Sequence, residues 1–286
     1  MSAIEKLLSQ RPSTTLYHYT SAAGLLGIVQ SKSLWASGIH YLNDSSEYKH
    51  AAGILQDCAR RSLMADLDHP WKDSLFELLD SERTFIDPMV FVGSLSEAGD
   101  KLSQWRGYCP TGGGFSIGLS PDVMMRQAAK QDFQLVKCEY RLKEQTAICE
   151  ELISAGCRAA IESLPKEDPR LQRRPHGLLH KCYLPLMRIA PALKNPSFEE
   201  EQEWRVIRGP FEGPDQQVCF RPGKYAVIPY REFALAGANA RLEFEDVIIG
   251  PNPDPEQAHN SLLYLFTAFG VKYNKISNYT GTLRNW

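Results

Sequence analysis

The segment Leu16-Tyr17-His18-Tyr19-Thr20-Ser21, followed by Ala22-Ala23-Gly24-Leu25-Leu26-Gly27-Ile28-Val29 and then Ser33-Leu34-Trp35-Ala36, decides how this chain is read. Arg11-Pro12-Ser13 breaks an N-terminal helix over 2–10, and a short strand over 15–18 comes next. Thr20 or Ser21 then supplies a hydroxyl cap for a helix whose Leu25, Leu26, Ile28 and Val29 form an apolar stripe. Lys32-Ser33 leads into a second strand around Trp35. A strand that ends in a histidine between two tyrosines carries polar and aromatic groups where a core wants aliphatic ones.

Working outward, Asn43-Asp44-Ser45-Ser46 reads as a turn and cap for a long helix with Ala51, Ile54, Leu55 and Cys58 on one stripe, and a second helix is expected over 71–79. Strands are expected over 89–94, 114–119 and 133–140, with a short helix over 101–106 and an Ala-rich helical block over 146–164. The polar, basic stretch 165–175 reads as an exposed loop. Strands then dominate at 204–208, 218–220, 225–228 and 242–250, before a helix over 256–269 and a closing strand over 271–275. Helices concentrate early and strands late, which predicts an α+β arrangement in one domain spanning 1–286, with helical insertions near 45–82 and 141–192.

The 286 residues are 43% hydrophobic and 23% charged, with 32 Lys+Arg against 34 Asp+Glu for a formal net charge of -2. This composition excludes disordered, collagenous and coiled-coil classes. The charge balance predicts neither bulk nucleic-acid binding nor attraction to an anionic membrane. The 7 cysteines are widely spaced and contain no C-x-x-C pair, so reduced thiols are expected. With no apolar signal region and no run of about 20 apolar residues, a soluble cytoplasmic protein is expected, with no membrane partner.

Phosphate-loop, dinucleotide-fold and zincin motifs are absent. Gly114-Phe115-Ser116-Ile117-Gly118 matches the G-x-S-x-G of a nucleophile elbow, but its alternation continues as strand, so a buried strand is the expectation. His176 and His180 are four apart without a further ligand at metal spacing, and no metal is predicted. The basic cluster Arg170, Arg173, Arg174, His176 and Lys181 reads as a solvated loop or, alternatively, as a phosphate or nucleic-acid contact.

Four polar, bulky clusters remain: 16–21; Tyr41-Leu42-Asn43-Asp44-Ser45-Ser46-Glu47; Gly93-Ser94-Leu95-Ser96-Glu97 with Ser103-Gln104-Trp105-Arg106-Gly107-Tyr108; and Glu199-Glu200-Glu201-Gln202-Glu203-Trp204-Arg205. If the last is a strand throughout, Glu201 and Glu203 share a face. At these places, from Leu16 to Ile248-Ile249-Gly250-Pro251, the sequence resembles domain-of-unknown-function family 2971, an uncharacterised and mainly bacterial family. The first strand, helix and second strand also resemble, more distantly, those of the ADP-ribosyltransferase superfamily. That resemblance implies a mixed, mostly antiparallel sheet and NAD as substrate. It implies that His18, Tyr19 and Thr20 meet the nucleotide, that Tyr41 stacks on nicotinamide, and that Glu203, with Glu201 as companion, is catalytic.

The chemistry suits those residue types. Breaking the nicotinamide–ribose bond passes through an oxocarbenium-like state that a nearby carboxylate stabilises, and Arg106 or Arg205 could meet a pyrophosphate in bidentate fashion. Equally, Glu201 and Glu203 could be the acidic half of a structural ion-pair network, and Asn43, Asp44 and Glu47 a helix cap. The expected function is therefore NAD-dependent modification of an unidentified macromolecular acceptor, or NAD cleavage. The alternatives are a non-catalytic nucleotide- or protein-binding module and a nucleic-acid-acting effector. On the first reading His18, Tyr41 and Glu203 must line one cleft.

Overall fold

A computed structural model describes residues 1–42, 50, 51, 53, 54, 56–58, 60, 61, 89–109, 113–162, 187–211, 217–223 and 225–281. Asn43, Asp44 and Glu47, the helix expected over 71–79, and the basic cluster with His176 and His180 lie outside the described residues. The elements are α1 (Ala3–Leu8), β1 (Leu16–Thr20), α2 (Ala22–Ser31), β2 (Ser33–Gly38), β3 (Met89–Ser96), α3 (Leu102–Tyr108), β4 (Phe115–Leu119) and α4 (Pro121–Lys130). They continue with β5 (Gln134–Lys137), α5 (Leu142–Glu162), β6 (Glu203–Phe211), β7 (Cys219–Pro222), β8 (Val227–Ala234), β9 (Glu243–Ile249), α6 (Pro255–Phe269) and β10 (Lys272–Asn278).

These strands form one 10-stranded sheet in the order β10-β9-β4-β1-β3-β2-β8-β7, with β6 paired to both β3 and β5. All strand pairs are antiparallel except β9 with β10, where the connection through α6 returns the chain in the same direction. The α+β class and the largely antiparallel sheet expected from the sequence are therefore present.

Local signals explain most boundaries. Ser2 and Glu5 form a reciprocal capping box at α1, and the Ser21 hydroxyl accepts the Gly24 amide at the start of α2. Helix α4 was not among the expected elements, because the alternation of 115–119 hides the change of structure. Its signal is Pro121, at the first helical turn directly after Ser120. Ser116 nevertheless sits inside β4, opposite Tyr19 and Ile248, and is wholly buried, so it is not an elbow nucleophile.

Strand β3 is the divider of the fold. Along one edge it pairs with β6 from Met89 to Ser96. Val90 and Val92 point to a core that also holds Leu7, Ile148, Leu152, Leu193 and Ile207. Phe91 and Leu95 point to the opposite core, with Leu16, Leu34, Ile117, Trp204, Phe233 and Val247. The period-two alternation thus loads both faces of one strand with apolar side chains, as expected for a strand covered on both sides.

Truncating the largest of these side chains tests that division. Phe91→Ala removes a fully buried ring and is expected to cost about 3–5 kcal/mol, measured as a lower urea midpoint at unchanged slope.

Candidate ligand-binding cleft

Because β6 occupies one whole edge of β3, strands β1 and β2 must share the other. Strand β2 takes the first half, through Ser37↔Val92 and Gly38↔Phe91, whereas β1 meets only the end, at Tyr17↔Ser96. Between them the edge of residues 93–95 has no strand partner, and the sheet forks. The fork opens a cleft of about 760 Å³ lined by His18, Tyr19, Thr20, Tyr41, Gly93, Ser94, Tyr108, Glu201, Arg205 and Arg221, among others.

His18 fills part of the gap. Its Nδ1 lies 3.0 Å from the Ser94 carbonyl oxygen, which can only accept, so Nδ1 carries the proton. Burial lowers the imidazole's affinity for a second proton, outweighing the opposing effect of that carbonyl. A neutral ring therefore keeps Nε2 as an acceptor, and Nε2 makes no hydrogen bond to a described residue. That arrangement suits a hydroxyl donor on a ligand.

The neighbouring predicted residues are held firmly. Tyr19 donates its hydroxyl to the Ala98 carbonyl at 2.7 Å, accepts the Lys101 amide at 2.9 Å, and packs edge-on against Trp105. Thr20 is buried, and a Cβ at position 24 would meet its Oγ1, so any side chain there would force the Thr20 hydroxyl to move. Tyr41 is 44% exposed and lies in the 3-10 turn Ile39–Tyr41 after β2, rather than in a strand. Arg106 is exposed on α3 and is not among the cleft-lining residues.

The acidic run does not form a continuous strand. The 3-10 helix Pro196–Glu201 ends at Gln202, whose left-handed backbone (φ 47, ψ 49) turns the chain into β6 at Glu203. Both carboxylates nonetheless converge, because each accepts a 2.5 Å hydrogen bond from Lys194 Nζ. Arg205 grips Glu203 with Nε at 2.8 Å and Nη2 at 3.0 Å, and Nη1 donates to the Pro191 carbonyl. Lys194, Glu203 and Arg205 side chains are 1%, 3% and 3% exposed, whereas Glu201 is 15% exposed and reaches the cleft. Glu203 therefore does not line the same cleft as His18 and Tyr41, contrary to the sequence expectation: it lies just behind, in a recess of about 50 Å³ that His18, Tyr108 and Glu201 also line. Burial pushes the Glu203 carboxyl up, but Arg205 and Lys194 more than offset it and hold it at about 2.

Sequence reasoning missed two members of this region. Lys194 carries no motif signal, because a lysine beside Pro196 reads as a loop cation. Arg221, on β7, also lines the cleft, with Nη2 3.1 Å from Ser37 Oγ and its guanidinium 5.9 Å from the Trp35 ring centroid. Only the tertiary pairing of β7, β8 and β2 brings it there. Among the described residues no group of three or more His, Cys, Asp or Glu is placed to hold a metal ion, and no helix is long and apolar enough to cross a membrane.

Residues 104–206 match the family of proteins of unknown function DUF2971. The matched stretch runs from α3 through the Lys194–Glu201–Glu203–Arg205 network, so it contains the acidic side of the cleft. No curated protein and no solved structure matches.

The network has a pH signature. Glu203 is held below its ordinary value of 4.5, so its contribution to stability is complete above that value and is lost as pH falls from about 4.5 toward about 2. Glu203→Gln, which leaves Lys194 and Arg205 with surplus buried charge, is expected to cost about 3–5 kcal/mol at neutral pH. Thermal melting across pH should also show a flatter acid limb in this variant.

Proposed function

We propose that the cleft binds NAD and that the protein transfers its ADP-ribosyl group to an acceptor, or to water, on an ADP-ribosyltransferase-like scaffold. The observation that carries this reading is the fork of the sheet at residues 93–95, which gathers His18, Tyr41 and Glu201 into one cleft although they come from distant parts of the chain. A volume of about 760 Å³ suits a ligand of dinucleotide size. Ser103 Oγ, buried at the cleft without a hydrogen-bond partner among the described residues, is a further polar group for such a ligand to engage.

In this reading the neutral His18 accepts a ribose hydroxyl through Nε2, and Tyr41 offers its ring to the nicotinamide. The C1′–N bond breaks, and its electron pair leaves with neutral nicotinamide. The acceptor's oxygen or nitrogen, or that of water, bonds to C1′ and releases one proton. Glu201, the carboxylate that faces the cleft, stabilises the positive charge that develops on the ribose. Glu203, with both oxygens engaged by Arg205 and Lys194, acts behind it by fixing Lys194 and hence Glu201.

A second reading, a nucleotide-binding module without catalysis, is favoured by one observation: the two glutamates are matched by two cations, so little negative charge is left for a transition state. Nicotinamide release from NAD by the purified protein separates the two. Glu201→Gln is expected to keep NAD affinity within about twofold while lowering turnover about 100-fold or more. NAD binding with no release in the native protein would select the second reading, and no NAD binding at all would remove the first.

A further inference from the structure

Strands β7, β8 and β2 are consecutive antiparallel neighbours, and directly opposed residues share a face. The pairs Arg221↔Ile228, Cys219↔Tyr230, Ser37↔Tyr230 and Trp35↔Glu232 therefore set Arg221, Tyr230, Ser37 and Trp35 on one side of this corner of the sheet. Trp35 rests against Tyr230 with ring centroids 4.7 Å apart, and the Arg221 guanidinium lies over the Trp35 ring. The aromatic pair gives that guanidinium a rigid base.

Arg221 is held differently from Arg205 and Arg141 and, unlike Arg188 and Arg208, whose Nε atoms are also buried without a hydrogen bond among the described residues, it lines the cleft. Arg205 is forked onto Glu203, and Arg141 grips Glu139 through Nε and Nη2 at 2.9 and 2.8 Å. Among the described residues Arg221 has one neutral hydrogen bond, from Nη2 to Ser37 Oγ, and its Nε is buried without a partner. Glu232, a carboxylate on the same face, forms no ion pair with it. A guanidinium that is positioned, partly desolvated and without a counter-charge among the described residues is poised for an anion, and its planar fork matches phosphate oxygens. The first turn of α2 lines the same cleft through Ser21, Ala23 and Gly24, and Gly27 of that helix lies beside the Trp35 ring. The positive end of a ten-residue helix thus borders the same space.

We propose that Arg221, laid over Trp35 and tethered to Ser37, is the anion subsite of this cleft and takes the phosphates of a nucleoside diphosphate. The cleft is far larger than a phosphate alone, so the anion is one end of a longer ligand whose remainder extends toward His18 and Glu201. The assignment rests on the nucleotide reading of the cleft and adds the group that holds the phosphates and the direction in which the ligand lies. Arg221 binds; it performs no chemical step.

The test is a calorimetric titration of the full-length protein with ADP, adenosine and inorganic pyrophosphate, repeated with Arg221→Gln and Arg221→Lys after their melting temperatures are checked. The native protein is expected to bind ADP at least about tenfold more tightly than adenosine. Arg221→Gln should abolish that preference while adenosine affinity stays within about twofold, and Arg221→Lys, which keeps the charge but loses the fork, should retain part of it. Equal affinity for ADP and adenosine in the native protein overturns the proposal without any variant, as does failure to bind ADP. A preference for ADP that survives Arg221→Gln places the phosphates elsewhere and also overturns it. Pyrophosphate bound as tightly as ADP would remove the nucleoside from the assignment. The NAD reading fails separately: ADP binding that depends on Arg221, without nicotinamide release, leaves the subsite standing. Nicotinamide release with an unchanged KM in Arg221→Gln removes the subsite and leaves that reading intact.

Discussion

A strand has two edges, and β3 is asked to serve three partners. Its pairing with β6 runs the whole length of one edge, so β1 and β2 divide what is left and cannot meet at its middle. The backbone groups of residues 93–95 on that side then need partners from outside the ladder, since a buried carbonyl left unpaired is costly. His18 answers for Ser94. One geometric conflict therefore produces the cleft, fixes the tautomer of the histidine in it, and requires a small residue at position 93. A Cβ on Gly93 would come within 2.9 Å of Val206 on β6, the strand that makes the fork necessary.

The ionic network is the second consequence of β6 lying where it does. Glu203 and Arg205 are two apart on that strand and share a face, while Trp204 and Val206 face the opposite core. A buried carboxylate with one arginine would still have unsatisfied lone pairs, and Lys194 completes it from the segment before the 3-10 turn. Tyr140 adds to the enclosure by accepting the Glu203 amide on its hydroxyl at 2.9 Å. Such a cluster is stable only when every member is matched, which is why it immobilises Glu201 at the cleft edge rather than leaving that side chain to sample solvent.

How legible this was in the sequence depends on the range of the interactions. Apolar alternation and capping hydroxyls are local signals, so β1, α2, β2 and α6 were readable from 16–36 and 255–269, as was the α+β class. Helix α4 was masked by the strand pattern before it, and the strand expected at 133–140 proved to be only Gln134–Lys137. At the site, His18, Tyr41, Glu201 and Glu203 stood out because they are polar or aromatic near expected strand ends. Lys194 and Arg221 did not, because nothing within their own segments distinguishes them from solvated surface cations. Their roles arise from strand register between elements far apart in the chain, and a single sequence does not encode register visibly. The convergence of Glu201 and Glu203 was anticipated for a different reason from the one found: not strand alternation, but a left-handed Gln202 and a shared lysine.

The electrostatics of the cleft then differ in sign from those of the chain. The formal net charge is -2, yet in the cleft region Lys194 and Arg205 balance Glu201 and Glu203, His18 is neutral, and Arg221 remains as a cation without a carboxylate partner among the described residues. A charge partly shielded from solvent by Trp35 and Ser37 acts through a lower effective dielectric than one on the surface, and salt screens it less. Within the cleft, the positive charge without a carboxylate partner among the described residues is thus gathered at the end that Arg221 occupies. A long polyanion needs many such contacts along a surface. A compact ligand with its charge gathered at one end needs only one, and hydroxyl-accepting and aromatic groups lie along the remaining length of the cleft to engage its uncharged part.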